Sequence, residues 1–251
     1  MSKISGVVIA KNEEKMIEEA LDSLSFCDEI IVIDNGSTDK TKEISQSKGA
    51  RIYEIQTNDF SEIRNFGLKV AQSDWILYLD ADERISDELK DSIKKAVSED
   101  QGTSAFSLKR KNYYLGKHQW PKIEKMQRLF RRDKLKEWKG RLHETPIVEG
   151  KTSLLSDGFI LHFTHRDLES MLSKTIEWSS AEALLRFNNG HPKMTWWRFP
   201  RVMITAFLNS YIKQHGYRAG AAGIIESLYQ SFSMFVTYAK LWELQTRHIK
   251  S

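Results

Sequence analysis

Short unbroken apolar runs alternate along the first half of the chain with stretches in which apolar residues recur every three or four positions. Val7, Val8, Ile9 and Ala10 form the first run, as expected of a strand covered on both faces of a parallel sheet. Met16, Ile17, Ala20, Leu21 and Leu24 follow at helical spacing, and residues 30–33 predict a second buried strand. That strand ends in Asp34-Asn-Gly-Ser-Thr-Asp39, a turn rich in residues that start helices. A polar helix is predicted over about 38–48, stopped by Gly49. A strand over 50–55, a helix over 61–71 and a strand over 75–79 come next. Leu89, Ile93, Ala96 and Val97 mark an amphipathic helix over 86–97. From 103 to about 165 the alternation gives way to shorter aromatic and basic segments. A long helix is then predicted over 167–187, with Leu168, Met171, Leu172, Thr175, Ile176 and Ala183 as its apolar face, broken at Asn188-Asn-Gly-His-Pro192.

Strand–helix alternation with short connections implies right-handed crossovers and an α/β fold: an open, mostly parallel sheet flanked by helices. Ligands of such sheets bind outside the carboxyl ends of the strands. Three polar clusters follow strands directly, Lys11-Asn-Glu-Glu14, Asp34 to Asp39, and Asp80-Ala-Asp82, so all are expected on one rim.

The third cluster poses a chemical problem. The run Trp75-Ile-Leu-Tyr-Leu, suited to burial, ends in Asp80, Asp82 and Glu83. Carboxylates this close repel, and burying one unpaired is costly. One solution is that Asp80 and Asp82 are turn or helix-cap residues. The other is a cation: two carboxylates flanking one residue suit Mg²⁺ or Mn²⁺, hard ions that keep positions open for phosphate oxygens.

Composition narrows the picture. In 251 residues, 40% hydrophobic and 29% charged, there is enough apolar material for a sizeable core. The net charge of +4 is unevenly placed, with thirteen Lys and Arg against three acids between Ser107 and Arg141. That imbalance suggests an anionic partner for the face. Cys27 is the only cysteine, which excludes an intrachain disulfide and a cysteine metal site. The N-terminal apolar stretch is short for a signal peptide, and no apolar run is long enough to span a bilayer, so a cytoplasmic location is expected. Leu142-His-Glu-Thr-Pro-Ile147 lacks the second histidine of a zinc protease, and the glycines of 216–223 lack the spacing and preceding strand of a dinucleotide loop.

Four motifs in order carry a family resemblance: Val8-Ile-Ala-Lys-Asn-Glu-Glu14, Asp34-Asn-Gly-Ser-Thr-Asp39, Phe60-Ser-Glu-Ile-Arg-Asn65 and Leu79-Asp-Ala-Asp-Glu83. Together they resemble the family 2 glycosyltransferases and, more narrowly, the bacterial lipopolysaccharide-core β-glucosyltransferase branch. The resemblance implies a GT-A fold, a sugar-nucleotide donor, a divalent metal and inversion at the anomeric carbon. It divides the chain into a catalytic domain over 1–165 and a helical, basic and aromatic extension over 166–251. Within the first, 1–102 would bind the nucleotide sugar and 103–165 the acceptor. By position, Asp34 would contact the nucleobase, Asn12 and Glu13 the ribose, and Arg64 the base or diphosphate. Lys11 would be a phosphate-side or structural charge. Asp80 would hold ribose or metal-bound water, and Asp82 would ligate the metal. His162 would be a further metal or phosphate contact, with His165 close enough to compete for the role. Inversion needs a base opposite the leaving diphosphate. Glu144 is the candidate, where many relatives carry Glu-Asp and this chain has His143-Glu144. The donor expected is uridine diphosphate glucose, and the acceptor a lipid-linked or lipopolysaccharide-core saccharide.

Between His191 and Ile225 there is no Asp or Glu, while Lys193, Arg198, Arg201, Lys213 and Arg218 are interleaved with Trp196, Trp197, Phe199, Phe207 and Tyr211. Such a mixture suits a peripheral membrane interface, with packing onto the catalytic domain or a second subunit as the alternative. Two other functions compete with the enzyme: a non-catalytic carbohydrate or nucleotide-sugar scaffold of the same fold, and a nucleic-acid-binding protein. The acidic rim opposes the latter, and no nucleic-acid partner is expected.

Overall fold

The structure, a computed structural model, describes residues 2–99, 102–141, 144–164 and 166–247. The chain divides into two compact units, residues 1–111 with 124–162, and residues 112–123 with 163–251.

In the first unit β1 (Ile4–Ala10) lies between β2 (Glu29–Asp34) and β4 (Trp75–Asp80), all parallel, and β3 (Arg51–Glu54) extends the sheet beyond β2. Every position of β1 is buried, because strands flank both its edges and helices cover both its faces. Val7 and Ile9 pack on one face with Ile31, Ile33 and Tyr78, while Val8 and Ala10 pack on the other with Leu77 and Leu79. The register sets Ala10 level with Asp34 and Ile9 level with Asp80, so three strands deliver their polar ends to one rim.

Helices α1 (Ile17–Ser23), α2 (Thr41–Ser47), α3 (Phe60–Val70) and α4 (Asp87–Ser98) flank the sheet. Asp59 starts α3 by accepting the backbone N–H of Ser61 at 2.9 Å. Gly67 lets α3 approach the sheet closely, since a Cβ there would lie 2.7 Å from a Val7 methyl. Arg64, one turn earlier on the same face, is thereby pressed toward the rim.

Beyond β4 the sheet becomes mixed. β8 (Glu124–Arg131) runs antiparallel to β4 and to β6 (Thr103–Tyr114). Two strands with no periodic signature complete this side, β5 (Glu83–Ile85) and β12 (Ile160–Phe163), paired so that His162 stands opposite Glu83. β11 (Lys151–Leu154) lies parallel to β6, and β9 (Leu135–Lys139) with β10 (Thr145–Val148) forms a separate ribbon. The basic run is less outward-facing than its charge count suggests. Arg110 on β6 and Arg128 on β8 reach carboxylates inside this unit.

The second unit contains α5 (Leu168–Asn188), α6 (Arg198–Leu208) and α7 (Gly220–Arg247), with β7 (His118–Gln119) paired to the end of β6. The buried row of α5 differs from the expected one. Met171, Thr175, Ser179 and Ala183 turn inward, whereas Leu168, Leu172 and Ile176 are exposed. Small and hydroxyl-bearing residues at four-residue spacing let α7 approach, and the Thr175 hydroxyl lies 2.8 Å from the Tyr229 hydroxyl. The glycines of 216–223 serve close packing: a Cβ on Gly223 would fall 1.9 Å from the Gly216 carbonyl oxygen.

Gly158, just before β12, has φ +75°, and a Cβ there would sit 2.1 Å from the backbone nitrogen of Leu89 at the start of α4. Gly158→Ala is therefore expected to lower stability by more than about 2 kcal/mol. Urea unfolding of the two proteins measures this.

Candidate functional site

The rim begins with two interlocked loops. Asn12, at φ 55°, occupies the left-handed region that Asn tolerates better than most residues. Its backbone N–H donates to the Ser37 hydroxyl at 2.9 Å, and its side-chain oxygen accepts the Thr38 N–H at 2.8 Å. The Glu13 N–H donates to the Thr41 hydroxyl at 2.8 Å, which ties the same two loops again. Lys11 is exposed beside them. Asp34 is fully buried: Oδ2 accepts the N–H groups of Gly36 and Ser37 at 3.1 and 2.9 Å, while Oδ1 has no partner among the described residues. A buried acceptor held ready in this way suits an N–H donor from a ligand.

The acidic corner after β4 is resolved by arginine. Glu83 is completely buried, accepts the Asp80 N–H at 3.0 Å, and takes Arg110 at 2.8 Å and Arg128 at 3.4 Å on its other oxygen. Asp80 accepts Arg64 at 3.0 Å on one oxygen and Arg128 at 2.8 Å on the other. Arg64 also donates from Nε to Glu144 at 2.7 Å, and its guanidinium lies 4.9 Å from the Trp138 ring centre. Arg64 is only 3% exposed, and its Nη1 has no partner among the described residues. The cation demanded by the carboxylate cluster is thus in large part three guanidinium groups drawn from α3, β6 and β8.

Desolvation would raise the Asp80 carboxyl, but Arg128, Arg64 and Arg110 outweigh it and hold the group well below the usual carboxylate range. Desolvation likewise opposes the charge on Arg128, and Asp80 and Glu83 reverse the effect, so its guanidinium is more firmly protonated than usual.

Asp82 stands apart from this arginine lattice. Its Oδ2 lies 3.4 Å from Nε2 of His162, both side chains being largely buried. Two ligands bound at ordinary distances to neighbouring positions of one octahedral ion are about 3 Å apart, so the pair has the spacing and the donor atoms for one. No group of three or more His, Cys, Asp or Glu suited to a metal ion occurs among the described residues. The structure therefore brings together Arg64, Asp80 and Glu144 in one lattice, Asp82 and His162 in a pair, and Asn12, Glu13 and Asp34 in the joined loops. His143 and His165 lie outside the described residues. Sequence reasoning missed Arg110, Arg128 and the burial of Glu83. The available signal was Arg128 standing directly before the apolar pair Leu129 and Phe130.

Acid titration checks the arginine lattice. With its folded pKa depressed, Asp80 contributes stability that is present above the unfolded carboxylate value near 4 and is lost as pH falls toward the folded value. Asp80→Asn is expected to be less stable at pH 7 and to lose less on acidification from pH 5 to pH 2 than the parent chain. Thermal melts across that range measure both slopes.

A profile described as Glycosyl transferase family 2 matches residues 5–160. Along nearly the whole chain, two bacterial proteins are similar. An uncharacterised glycosyltransferase of Rickettsia typhi is 29% identical, over 98% of this chain and 89% of its own length. The lipopolysaccharide core biosynthesis glycosyltransferase LpsC of Rhizobium meliloti is 25% identical, over 96% and 92%. Among solved structures, glucosyl-3-phosphoglycerate synthase from Mycobacterium tuberculosis, in complex with Mn²⁺, uridine diphosphate and glucosyl-3-phosphoglycerate, is 26% identical with a TM-score of 0.36, covering 45% of this chain and 44% of its own. With over half its length matched by the family profile and the rim motifs assembled at the carboxyl ends of β1, β2 and β4, the chain is a member of the family 2 glycosyltransferases.

Proposed function

We propose that the protein transfers a hexose, with inversion, from a nucleoside diphosphate sugar to a saccharide acceptor of the bacterial envelope. The observation that carries this reading is the Asp82–His162 pair on the same rim as two buried polar atoms without partners among the described residues, Asp34 Oδ1 and Arg64 Nη1. Family membership supports the sugar-nucleotide donor, and the likeness to LpsC supports a lipopolysaccharide-core acceptor. Uridine and glucose are taken from the motif resemblance.

In this reading Asp34 accepts an N–H of the nucleobase, and the Asn12–Glu13 loop faces the ribose, with Lys11 beside it on the phosphate side. Asp82 and His162 would hold Mn²⁺ or Mg²⁺. The ion, when bound, supplies charge neutralisation for the departing diphosphate. Asp80, clamped by two arginines, would face the ribose of the donor. Glu144 takes the proton of the acceptor hydroxyl as its oxygen attacks the anomeric carbon. Arg64 bridges Asp80 and Glu144, and so positions the base relative to the donor side.

Asp82→Ala is expected to reduce manganese-dependent hydrolysis of uridine diphosphate glucose at least roughly hundredfold. Glu144→Gln should retain donor affinity and lower transfer by about 10²–10⁴. Normal transfer by the Gln variant excludes Glu144 as base. Donor binding with no turnover by the parent chain assigns the protein instead as a nucleotide-sugar scaffold.

The second unit supports association with an anionic membrane. No helix of the described residues is long and apolar enough to cross one. However, α6 has no buried residue, and Trp196 just before it is 83% exposed. With Trp197, Ile204 and Leu208 also exposed and no acid between His191 and Ile225, this face matches anionic head groups and the acyl boundary beneath them. Replacing Trp196 and Trp197 together by Ala is expected to weaken sedimentation with phosphatidylglycerol vesicles about tenfold or more. Unchanged partitioning removes the membrane from the list of partners.

A further inference from the structure

The second unit contains a half-open cavity of about 560 Å³, within the range of small-molecule sites and well away in chain position from the rim motifs. One wall is the row Arg198, Arg201, Thr205 and Asn209 of α6 and the π-helical turn that continues it over Asn209–Lys213. Single π turns inside helices recur at functional sites. The facing wall comes from α7, with Glu226, Gln230 and Tyr238.

Three features make this a built recognition surface. Trp120 lines the cavity with its ring held in place, edge-on to Tyr114 at 5.0 Å and against Gly216, where a Cβ would come within 2.8 Å of the indole. Its indole N–H is buried and has no partner among the described residues. Glu226 is 1% exposed and accepts the Gln230 amide at 2.7 Å, so a carboxylate and a planar amide are fixed side by side. Arg198 is oriented by the carbonyl oxygens of Pro192 and Lys193, at 3.1 and 3.0 Å.

We infer that this cavity binds a hexose-sized sugar bearing a carboxylate or phosphate, as a subsite for the saccharide acceptor distinct from the donor rim. A rigid aromatic ring suits the C–H face of a pyranose, and planar paired acceptors and donors suit adjacent hydroxyls. The two arginines exceed the single Glu226 in charge, and the guanidinium fork matches a carboxylate or phosphate. The exposed row Trp197, Ile204 and Leu208 adjoins the cavity-lining row on α6, so a sugar attached to a lipid has an apolar surface beside its pocket. The choice of a saccharide rests on the glycosyltransferase reading, whereas the choice of an anionic one rests on the arginines.

The test uses the full chain without donor or metal, and follows galacturonate, glucose 6-phosphate and methyl glucoside by saturation-transfer NMR and calorimetry. Both acidic sugars should bind at least about tenfold more tightly than the neutral one. Binding should shift the indole N–H resonance of Trp120, assigned with Trp120→Phe. Arg201→Ala, an exposed position with little effect expected on the melting temperature, should cost about tenfold in affinity for the acidic sugars, and Gln230→Ala should weaken all three. The inference is overturned if no sugar binds, if Arg201→Ala leaves affinity unchanged, or if inorganic phosphate binds as tightly as glucose 6-phosphate. Because the assay needs neither donor nor Mn²⁺, sugar binding by a chain without hydrolase activity refutes only the catalytic reading. Metal-dependent turnover with no sugar binding refutes only this subsite.

Discussion

Ion pairing at the end of β4 controls the geometry of everything placed around it. Asp80 ends a strand whose other side chains are buried, and Glu83, which begins β5, has no solvent contact. Carboxylates in that position need cations with well-aligned donors, because removing one partner leaves the other charge desolvated. Arg64, Arg110 and Arg128 meet the need from three different elements. Each arginine in turn constrains its element: Arg64 requires α3 to sit close on the sheet, which Gly67 permits, and Arg128 requires β8 to lie beside β4.

This arrangement separates the acidic residues by role. Asp80 and Glu83 are paired with arginines, and Asp82, two positions beyond Asp80, faces His162. The protein-based cations also keep the corner assembled independently of metal, so the rim is preorganised before a donor arrives. Glu144 shares in this order through Arg64, which connects the residue proposed as base to the same lattice that steadies the donor side.

The helical unit follows a different logic. Its core is modest, centred on Ala183, Met194, Tyr238 and Leu241, and much of its apolar surface faces outward. An acid-free segment supplies cations to that outer surface, while the neighbouring row of the same helix lines a polar cavity. One helix thereby presents a membrane-compatible row and a sugar-compatible row side by side, as a lipid-attached acceptor would require.

The strands β1, β2 and β4, the helices between them and the rim clusters at Asn12, Asp34 and Asp80 were legible in the sequence, because buried parallel strands and amphipathic helices leave local periodic signals. The resemblance carried by the four motifs pointed to the family for the same reason, since those motifs are short and contiguous. What remained for the tertiary structure involved long-range pairing. Three residues of β5 are too few to show a period, yet their pairing with β12 brings His162 to Asp82 across eighty positions of chain. Arg110 and Arg128 read as part of a basic face for an anionic partner, whereas the antiparallel strands turn them inward onto carboxylates of the chain itself. On α5, helical spacing alone admitted two adjacent rows, and the inward one was decided by which small residues let α7 come close. Local composition determines the elements and their chemistry, whereas the identity of a buried charge's partner depends on register and crossover, which no stretch of sequence encodes by itself.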